Sequence, residues 1–246
     1  MLEIKNLTVG YGAINALHGI SLSVKAGAIV TLIGSNGAGK TTTLKTVSGL
    51  LKPRAGTIFY DGRDIAGLPP HEVVRRGLAH VPEGRMIFAN LSVRENLEMG
   101  AYLVRDKQQE RAELEFVFAT FPRLQERERQ MAGTMSGGEQ QMLAMARSLS
   151  VEPAALLLDE ISMGLAPLIV DELYALVATV AAEGVAILLT EQFARAALEV
   201  ADHVVLMSQG RVVASGTPDS LPDDLAATYL GGAAELAAGP AARRDR

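Results

Sequence analysis

Short runs of apolar residues, each ended by glycine or by polar residues, predict the core of this chain. Ala28–Ile33, Ala155–Leu158 and Val185–Thr190 are apolar almost throughout. A strand that alternates apolar and polar residues has one face in water, whereas a continuous apolar strand is covered on both faces. Helix-like segments at Lys40–Leu50 and Pro167–Glu183 follow the first two runs. This order of strands and helices indicates an α/β core with a parallel sheet.

The remaining pattern adds further strands and a helical insert to this core. Strands are predicted at residues 2–9, 20–24, 57–60 and 78–81, and a hairpin at 203–208 and 211–215 around Gln209-Gly210. Helices at about 92–102 and 106–121 lie within residues 85–150, which predict a helical subdomain. We expect one domain over residues 1–230. Residues 231–246 are rich in Ala and Gly, a composition typical of disorder.

Composition excludes several classes of function. The net charge of the 246-residue chain is −5, and no basic stripe of the kind that binds nucleic acid is found in the sequence. The sequence has no cysteine, so disulfides and thiolate metal sites are impossible. No basic start is followed by an apolar stretch, so no signal peptide is expected. Every apolar run is far shorter than the roughly 20 residues of a membrane span, so a membrane role requires a partner.

A glycine-rich segment carries the most specific signal. Gly34–Thr41 matches the phosphate-binding pattern G-x-x-x-x-G-K-[ST] and lies between a predicted strand and a predicted helix. Backbone N–H groups and the helix N-terminus favour an anion there. Lys40 would reach the β- and γ-phosphates, and Thr41 would ligate Mg²⁺; the alternative is a turn that binds nothing. The predicted binding residues are Gly34, Ser35, Asn36, Gly37, Ala38, Gly39, Lys40, Thr41 and Thr42.

Two adjacent carboxylates end another predicted strand. Asp159-Glu160 follows the apolar run Ala155–Leu158. A strand that ends beside the phosphate loop would place Asp159 near the metal and would let Glu160 polarise an attacking water. The alternative is a polar strand end that faces solvent. Together with the phosphate loop, the pair indicates a hydrolytic site.

A third motif brings in a resemblance to a known family. Ser136-Gly137-Gly138-Glu139-Gln140 opens a helix-like run and, taken alone, indicates an ordinary capped helix. Beside the other two motifs, Met135–Gln140 looks like the signature of ABC-transporter ATPase subunits, with Met for the usual Leu and Glu139 for the usual Gln. In that family two subunits enclose two nucleotides, and each site combines one phosphate loop with the partner's signature. The resemblance implies that Ser136, Gly137, Gly138 and Glu139 bind a nucleotide held by a second subunit.

Two further positions take their roles from this resemblance. Tyr11 looks like the aromatic residue that stacks on adenine, although a half-buried surface aromatic is the alternative. Residues 162–165 look like the loop by which two such subunits contact each other, and a plain turn before the helix at Pro167 is the alternative.

A narrower resemblance points to the branched-chain amino-acid uptake ATPases. It rests on Val81–Arg85, Ser162–Pro167 and Glu191-Gln192. Glu83 stands where most ABC relatives have a Gln that touches Mg²⁺ and the attacking water, so it is a candidate metal ligand or a solvated loop acid. Gln192 stands where they have a switch His, so it is a candidate catalytic residue or an ordinary polar one.

A third departure, Ile161 in place of the usual Pro, should matter least. Residues 85–96 are apolar at Met86, Ile87, Phe88 and Leu91. In the family this region docks a coupling helix of the membrane subunit; the alternative is that these residues pack into the insert.

The resemblance sets the expected function. We expect a P-loop NTPase α/β fold with a small antiparallel β subdomain and an inserted helical subdomain. It implies an ATPase that uses ATP and Mg²⁺ to power uptake of branched-chain amino acids. Its partners would be a second, non-identical ATPase, two permeases and, indirectly, a substrate-binding protein, at the cytoplasmic face of the cell membrane. The alternatives are a urea or amide uptake system, a soluble ABC ATPase of DNA repair or translation, and a nucleotide-binding regulator that does not hydrolyse ATP.

Overall fold

Ten strands and eight α-helices make up the part of the chain that the structure describes. The computed structural model describes residues 1–104, 106–192 and 195–221, apart from the Arg195 side chain. The strands are β1 (Leu2–Tyr11), β2 (Ile14–Val24), β3 (Ile29–Ile33), β4 (Ala55–Tyr60), β5 (Arg63–Asp64), β6 (Leu78–Val81), β7 (Ala155–Asp159), β8 (Ala186–Glu191), β9 (His203–Ser208) and β10 (Arg211–Gly216). The helices are α1 (Lys40–Val47), α2 (Pro70–Arg75), α3 (Val93–Gly100), α4 (Lys107–Thr120), α5 (Pro122–Glu126), α6 (Gly137–Leu149), α7 (Pro167–Ala182) and α8 (Arg195–Val200).

A six-stranded sheet in the order β10-β9-β3-β8-β7-β6 forms the centre of the fold. Strands β9, β3, β8, β7 and β6 are parallel, and β10 adds an antiparallel edge. Every residue of β3, β7 and β8 is buried, as the continuous apolar runs predict. Because parallel strands end at the same edge, the segments after β3, β6, β7 and β8 are brought together there.

A separate four-stranded antiparallel sheet has the order β2-β1-β4-β5. Its inward side chains, among them Leu7, Leu17 and Ile58, pack with residues of β3 and α1 in one buried cluster. A second cluster on the other face of the central sheet joins α6 and α7 to the inner faces of α3 and α4. The two faces of the sheet are therefore covered by different parts of the chain, which confirms the predicted fold class.

The helices α3 to α6 fall within the stretch predicted to be helical. Ser92 caps α3 in a capping box, because its hydroxyl accepts from Glu95 N while the Glu95 carboxylate accepts from Ser92 N. The cap confirms Ser92 as the start of this helix. The division into one domain over 1–230 stays a prediction, and the tail 231–246 lies outside the described residues.

Several boundaries differ from those that the pattern predicts. The strand predicted at 20–24 begins at Ile14, because pairing with β1 extends it past Gly19, whose φ is +75°. Helix α1 ends at Val47 rather than Leu50, because Gly49 turns the chain with a φ of +79°. The pattern also missed the short helices α2, α5 and α8, each of only five or six residues. Among the described helices, none has the length and apolar content needed to cross a bilayer.

The stability of the fold should depend on pH through His80. This residue lies on β6, and burial, with a smaller contribution from the charge of Lys45, lowers the pKa of His80 to about 4. Its Nε2 has no hydrogen-bond partner among the described residues. The unfolded chain, with a His pKa of about 6.5, binds the proton first, so stability is lost as the pH falls from about 6.5 towards 4.

We therefore expect His80 to cost about 2–3 kcal/mol of unfolding free energy between pH 7 and about pH 4.5. His80→Gln should remove this part of the pH dependence in urea denaturation followed by circular dichroism. His71→Gln, which changes an exposed histidine, is the matched control and should keep the wild-type slope. Equal slopes for wild type and His80→Gln would contradict the prediction.

Candidate nucleotide-binding site

The segments that contain the predicted site residues lie at the carboxyl edge of the central sheet. The phosphate loop follows β3, Glu83 follows β6, Asp159 and Glu160 end and follow β7, and Gln192 follows β8. Strand register places Asp159 opposite Thr190 and Ile33 opposite Glu191. The strand order therefore brings together segments that lie far apart in sequence.

The phosphate loop needs glycine at its start and at its end. A Cβ on Gly34 would collide with the carbonyl oxygen of Met207 on the neighbouring strand β9. Gly39 has a φ of +105°, which disfavours a side chain, and it is the N-cap of α1. Because glycine supplies no side-chain acceptor, the first amides of α1 are left for an anion.

Lys40 is buried at the first position of α1 and is held by its own loop. Its Nζ donates to the carbonyl oxygen of Gly34 at 2.8 Å and lies 3.5 Å from that of Ser35. It also lies 3.2 Å from Oε1 of Glu160, whose side chain is 11% exposed. The predicted phosphate ligand and the predicted catalytic carboxylate thus form an ion pair, in which a phosphate oxygen could replace Glu160.

Asp159 is positioned by two threonine hydroxyls. Its Oδ1 accepts from Thr41 at 3.0 Å and from Thr190 at 2.6 Å. Its Oδ2 is buried without a hydrogen-bond partner among the described residues. An unpartnered carboxylate oxygen beside a threonine hydroxyl fits a hard cation such as Mg²⁺, which binds through few protein ligands and completes its shell with water and phosphate oxygens.

A cleft of about 460 Å³ unites most of the predicted site. Its described lining residues include Tyr11, Thr42, Glu83, Glu160 and Gln192 together with residues 36–41 of the phosphate loop. Tyr11 is half exposed at the rim, with its hydroxyl 3.4 Å from Oγ1 of Thr42, so its ring is free to meet a planar ligand. No group of three Asp, Glu or His side chains is gathered around a cation position in the described part of the chain, so the roles of Glu83 and Gln192 stay predictions.

The residues of the signature-like motif line a different cavity. Ser136, Gly138 and Glu139 border a space of about 400 Å³ between α5, α6 and α7. Ser136 caps α6, and its N–H and hydroxyl both donate to Oε2 of Glu139, at 2.9 and 2.8 Å. Among the described residues that line the nucleotide cleft, none comes from this motif. That separation agrees with two half-sites on one chain.

The carboxylate of Glu139 in the signature-like motif is stabilised in its ionised form. Burial favours its neutral form, but hydrogen bonds from Ser136 and the nearby charges of Arg127 and Arg123 outweigh burial and hold the pKa of Glu139 below its usual value. Arg127 lies 3.1 Å from the Glu139 carboxylate. The ionised carboxylate can therefore accept from both the N–H and the hydroxyl of Ser136 at the start of α6.

Three residues near the site had no role predicted from the sequence, although Arg85 and Glu191 belong to segments that carry the narrower resemblance. Thr190 orients Asp159, Glu191 accepts from Ser162, and Arg85 donates from Nη1 to Oε1 of Gln140 at 3.0 Å. The sequence offered one signal, because polar residues directly follow the apolar run of β8. Their partners depend on strand order, which that signal does not give.

The apolar stretch after Glu83 contains both exposed residues, which could dock a partner, and a residue that packs into the core. Ile87 packs against the core cluster, whereas Met86 and Phe88 are exposed. The guanidinium of Arg147, on α6, lies 5.2 Å from the centre of the Phe88 ring. Met86 and Phe88 are thus available to a partner, and Ile87 is not.

Comparisons with known proteins agree with this geometry. Residues 17–162 match the family model described as ABC transporter. The chain is 45% identical to the high-affinity branched-chain amino acid transport ATP-binding protein BraG of Pseudomonas aeruginosa over 234 residues, covering 94% of this chain and 100% of that protein. It is 35% identical to the lipopolysaccharide export system ATP-binding protein LptB of Escherichia coli, covering 94% and 97%. A solved structure of an ATP-binding subunit of an ABC transporter superposes with a TM-score of 0.79 at 33% identity, covering 96% and 98%.

Removing the buried ammonium group should weaken nucleotide binding. We expect Lys40→Ala to raise the dissociation constant for ATP roughly 10- to 100-fold, because a charge-assisted bond to phosphate is lost. Calorimetric titration of the full chain with ATP measures the change. Lys52→Ala, at an exposed position after α1, is the control. An unchanged affinity in a folded Lys40→Ala protein would contradict the assignment of the loop.

Proposed function

The chain belongs to the ABC transporter family and is an ATPase, and we propose that it powers uptake of branched-chain amino acids through separate membrane permeases. The observation that carries the hydrolytic role is the convergence of Lys40, Thr41, Asp159 and Glu160 at one edge of the sheet. The cargo is supported by the 45% identity to the BraG protein, against 35% to the lipopolysaccharide export protein.

The Lys40–Glu160 pair suggests how binding prepares hydrolysis. The loop amides and Lys40 bind the phosphates of ATP, and Tyr11 stacks on the base. When a phosphate oxygen takes over Lys40, the Glu160 carboxylate loses its partner. Glu160 then accepts a proton from a water that attacks the γ-phosphorus, and the bond to the ADP oxygen breaks. The products are ADP and inorganic phosphate.

Thr41 and Asp159 would hold Mg²⁺, which supplies neutralisation of the charge that develops on the phosphates. Thr190 keeps Asp159 in place through its 2.6 Å hydrogen bond. Glu83 extends the acidic wall of the cleft, and its carboxylate adds negative charge near the phosphates. Gln192 can donate from its amide to a phosphate oxygen without titrating.

A second subunit would complete the site. The signature-like motif lies outside the chain's own cleft, while Met163 is exposed in the loop 162–165 at the cleft wall. We take the partner to be a non-identical ATPase that carries the switch His, although a homodimer of the isolated chain is compatible with the geometry. Two permeases would bind the apolar stretch 85–96 at the cytoplasmic face of the cell membrane. A substrate-binding protein would deliver the cargo to them.

Replacing the proposed base should stop transport without preventing nucleotide binding. We expect Glu160→Gln to lower ATP hydrolysis at this chain's own site in the reconstituted complex roughly 100-fold or more while ATP still binds. Vesicles that contain the permeases, both ATPases and the binding protein should then take up no labelled leucine. Glu126→Gln, at an exposed position on α5, is the matched control. Normal hydrolysis with Glu160→Gln would refute the catalytic role, and normal hydrolysis without leucine uptake in wild type would refute the cargo.

The two departures in the cleft should limit the rate of this site. We expect the double change Glu83→Gln and Gln192→His to raise the steady-state ATPase rate of the complex several-fold, because it removes a negative charge near the phosphates and restores a cationic donor. Each single change should give part of the gain. A fall in rate with both changes would show that Glu83 and Gln192 are adapted to each other.

A further inference from the structure

A buried carboxylate at the end of β8 joins three parts of the site. Glu191 is 1% exposed. Its Oε1 accepts from the hydroxyl of Tyr174, on α7, at 2.7 Å and from the backbone N–H of Ser162 at 3.1 Å. Its Oε2 accepts from the hydroxyl of Ser162 at 2.8 Å. Three donors from α7 and from the loop after β7 therefore converge on one side chain.

Burying the Glu191 carboxylate costs free energy, and the packing of the fold does not itself require a carboxylate at this position. Burial raises the pKa of Glu191 above its usual value, and the negative charge of Glu160 raises it further, although the donors from Tyr174 and Ser162 oppose the shift. No ion pair to Glu191 is found in the described part of the chain. An apolar residue would fill the same volume without this penalty, so the carboxylate points to a role in holding Ser162.

The segment that Glu191 holds contains a strained turn. Glu160 has a φ of +47°, in the left-handed region that disfavours a residue with a side chain. Before this residue, Thr190 fixes the chain: its hydroxyl bonds Asp159, and its carbonyl oxygen accepts from Glu160 N at 3.0 Å. After this residue, Glu191 fixes the chain through Ser162. Successive residues of β8 thus anchor Glu160 on both sides.

The same carboxylate lies between two segments that line the nucleotide cleft. Gln192 follows Glu191 directly and lines the cleft, and Met163 follows Ser162 and lines it too. A shift of Ser162 would therefore move both the aim of Glu160 and the exposed loop 162–165. Misplacement of a reacting group by about 1 Å can cost a factor of about 100 in rate.

We infer that Glu191 is a positioning residue for ATP hydrolysis, which fixes the turn at Glu160 and ties the loop 162–165 to the end of β8. This inference rests on the proposed function. It concerns the rate of hydrolysis and leaves the affinity for ATP to the phosphate loop, because Glu191 has no hydrogen bond to that loop among the described contacts.

The test compares variants that remove one partner at a time. Glu191→Gln replaces one acceptor oxygen by a donor, Ser162→Ala removes one hydroxyl and keeps the backbone N–H, and Ser162→Thr restores the hydroxyl. Each is placed in the reconstituted complex with the partner ATPase's own base inactivated, so that kcat and KM for ATP report the site that holds this chain's phosphate loop. Glu183→Gln, at the exposed end of α7, is the control.

We expect Glu191→Gln and Ser162→Ala to lower kcat about tenfold with KM within about twofold of wild type, and Ser162→Thr to approach the wild-type rate. If Glu191→Gln does not fold, Ser162→Ala against Ser162→Thr carries the comparison. A wild-type kcat in Ser162→Ala, or failure of Ser162→Thr to recover the rate, overturns the inference. Glu160→Gln in the same assay separates the two claims, because loss of activity there with full activity in the Ser162 variants refutes only the role of Glu191.

Discussion

The burial of charged side chains at one edge of a parallel sheet is the constraint on which the rest of the structure depends. Lys40, Asp159 and Glu191 are all almost inaccessible to water. An isolated charge in such a place costs several kcal/mol, so each needs partners in fixed positions. The partners come from strand β8 or from the segment that follows β7: Glu160 for Lys40, Thr190 for Asp159, and Ser162 for Glu191. The order of the strands is therefore needed to give the buried charges their partners, just as it is needed to form the apolar core.

The three buried charged side chains differ in whether their hydrogen bonds leave an atom available to a ligand. Both oxygens of Glu191 accept hydrogen bonds from the protein, so this carboxylate holds the chain in place and has no oxygen left for a ligand. Asp159 keeps one oxygen without a partner among the described residues, and Lys40 shares its charge with a carboxylate that is itself partly exposed. Polar groups whose hydrogen bonds are all made within the protein rigidify a site, whereas groups with an unpartnered atom can accept a ligand. The site combines both within a few residues of β7 and β8.

The sequence predicts this site unevenly, for physical reasons. The phosphate loop is local, since its glycines and Lys40 lie within a few residues of each other, and the structure confirms its place between β3 and α1. Asp159-Glu160 is also local and ends a fully apolar strand. Thr190 acts only through its register opposite Asp159, and register between strands is set by the whole sheet. The same holds for Arg85, whose partner Gln140 lies on a distant helix.

The signature-like motif lies apart from the nucleotide cleft, which fits the proposal that a second subunit completes each site. Ser136 and Glu139 satisfy each other at the start of α6, so this helix end is stable before any partner arrives. The cleft is likewise stable, because Glu160 neutralises Lys40. A chain that closed its own site could hydrolyse ATP alone. Under the proposed function, two half-sites that are each internally satisfied would instead make hydrolysis depend on association, and Glu191 would tie the loop 162–165, which meets the partner, to Glu160, the proposed base.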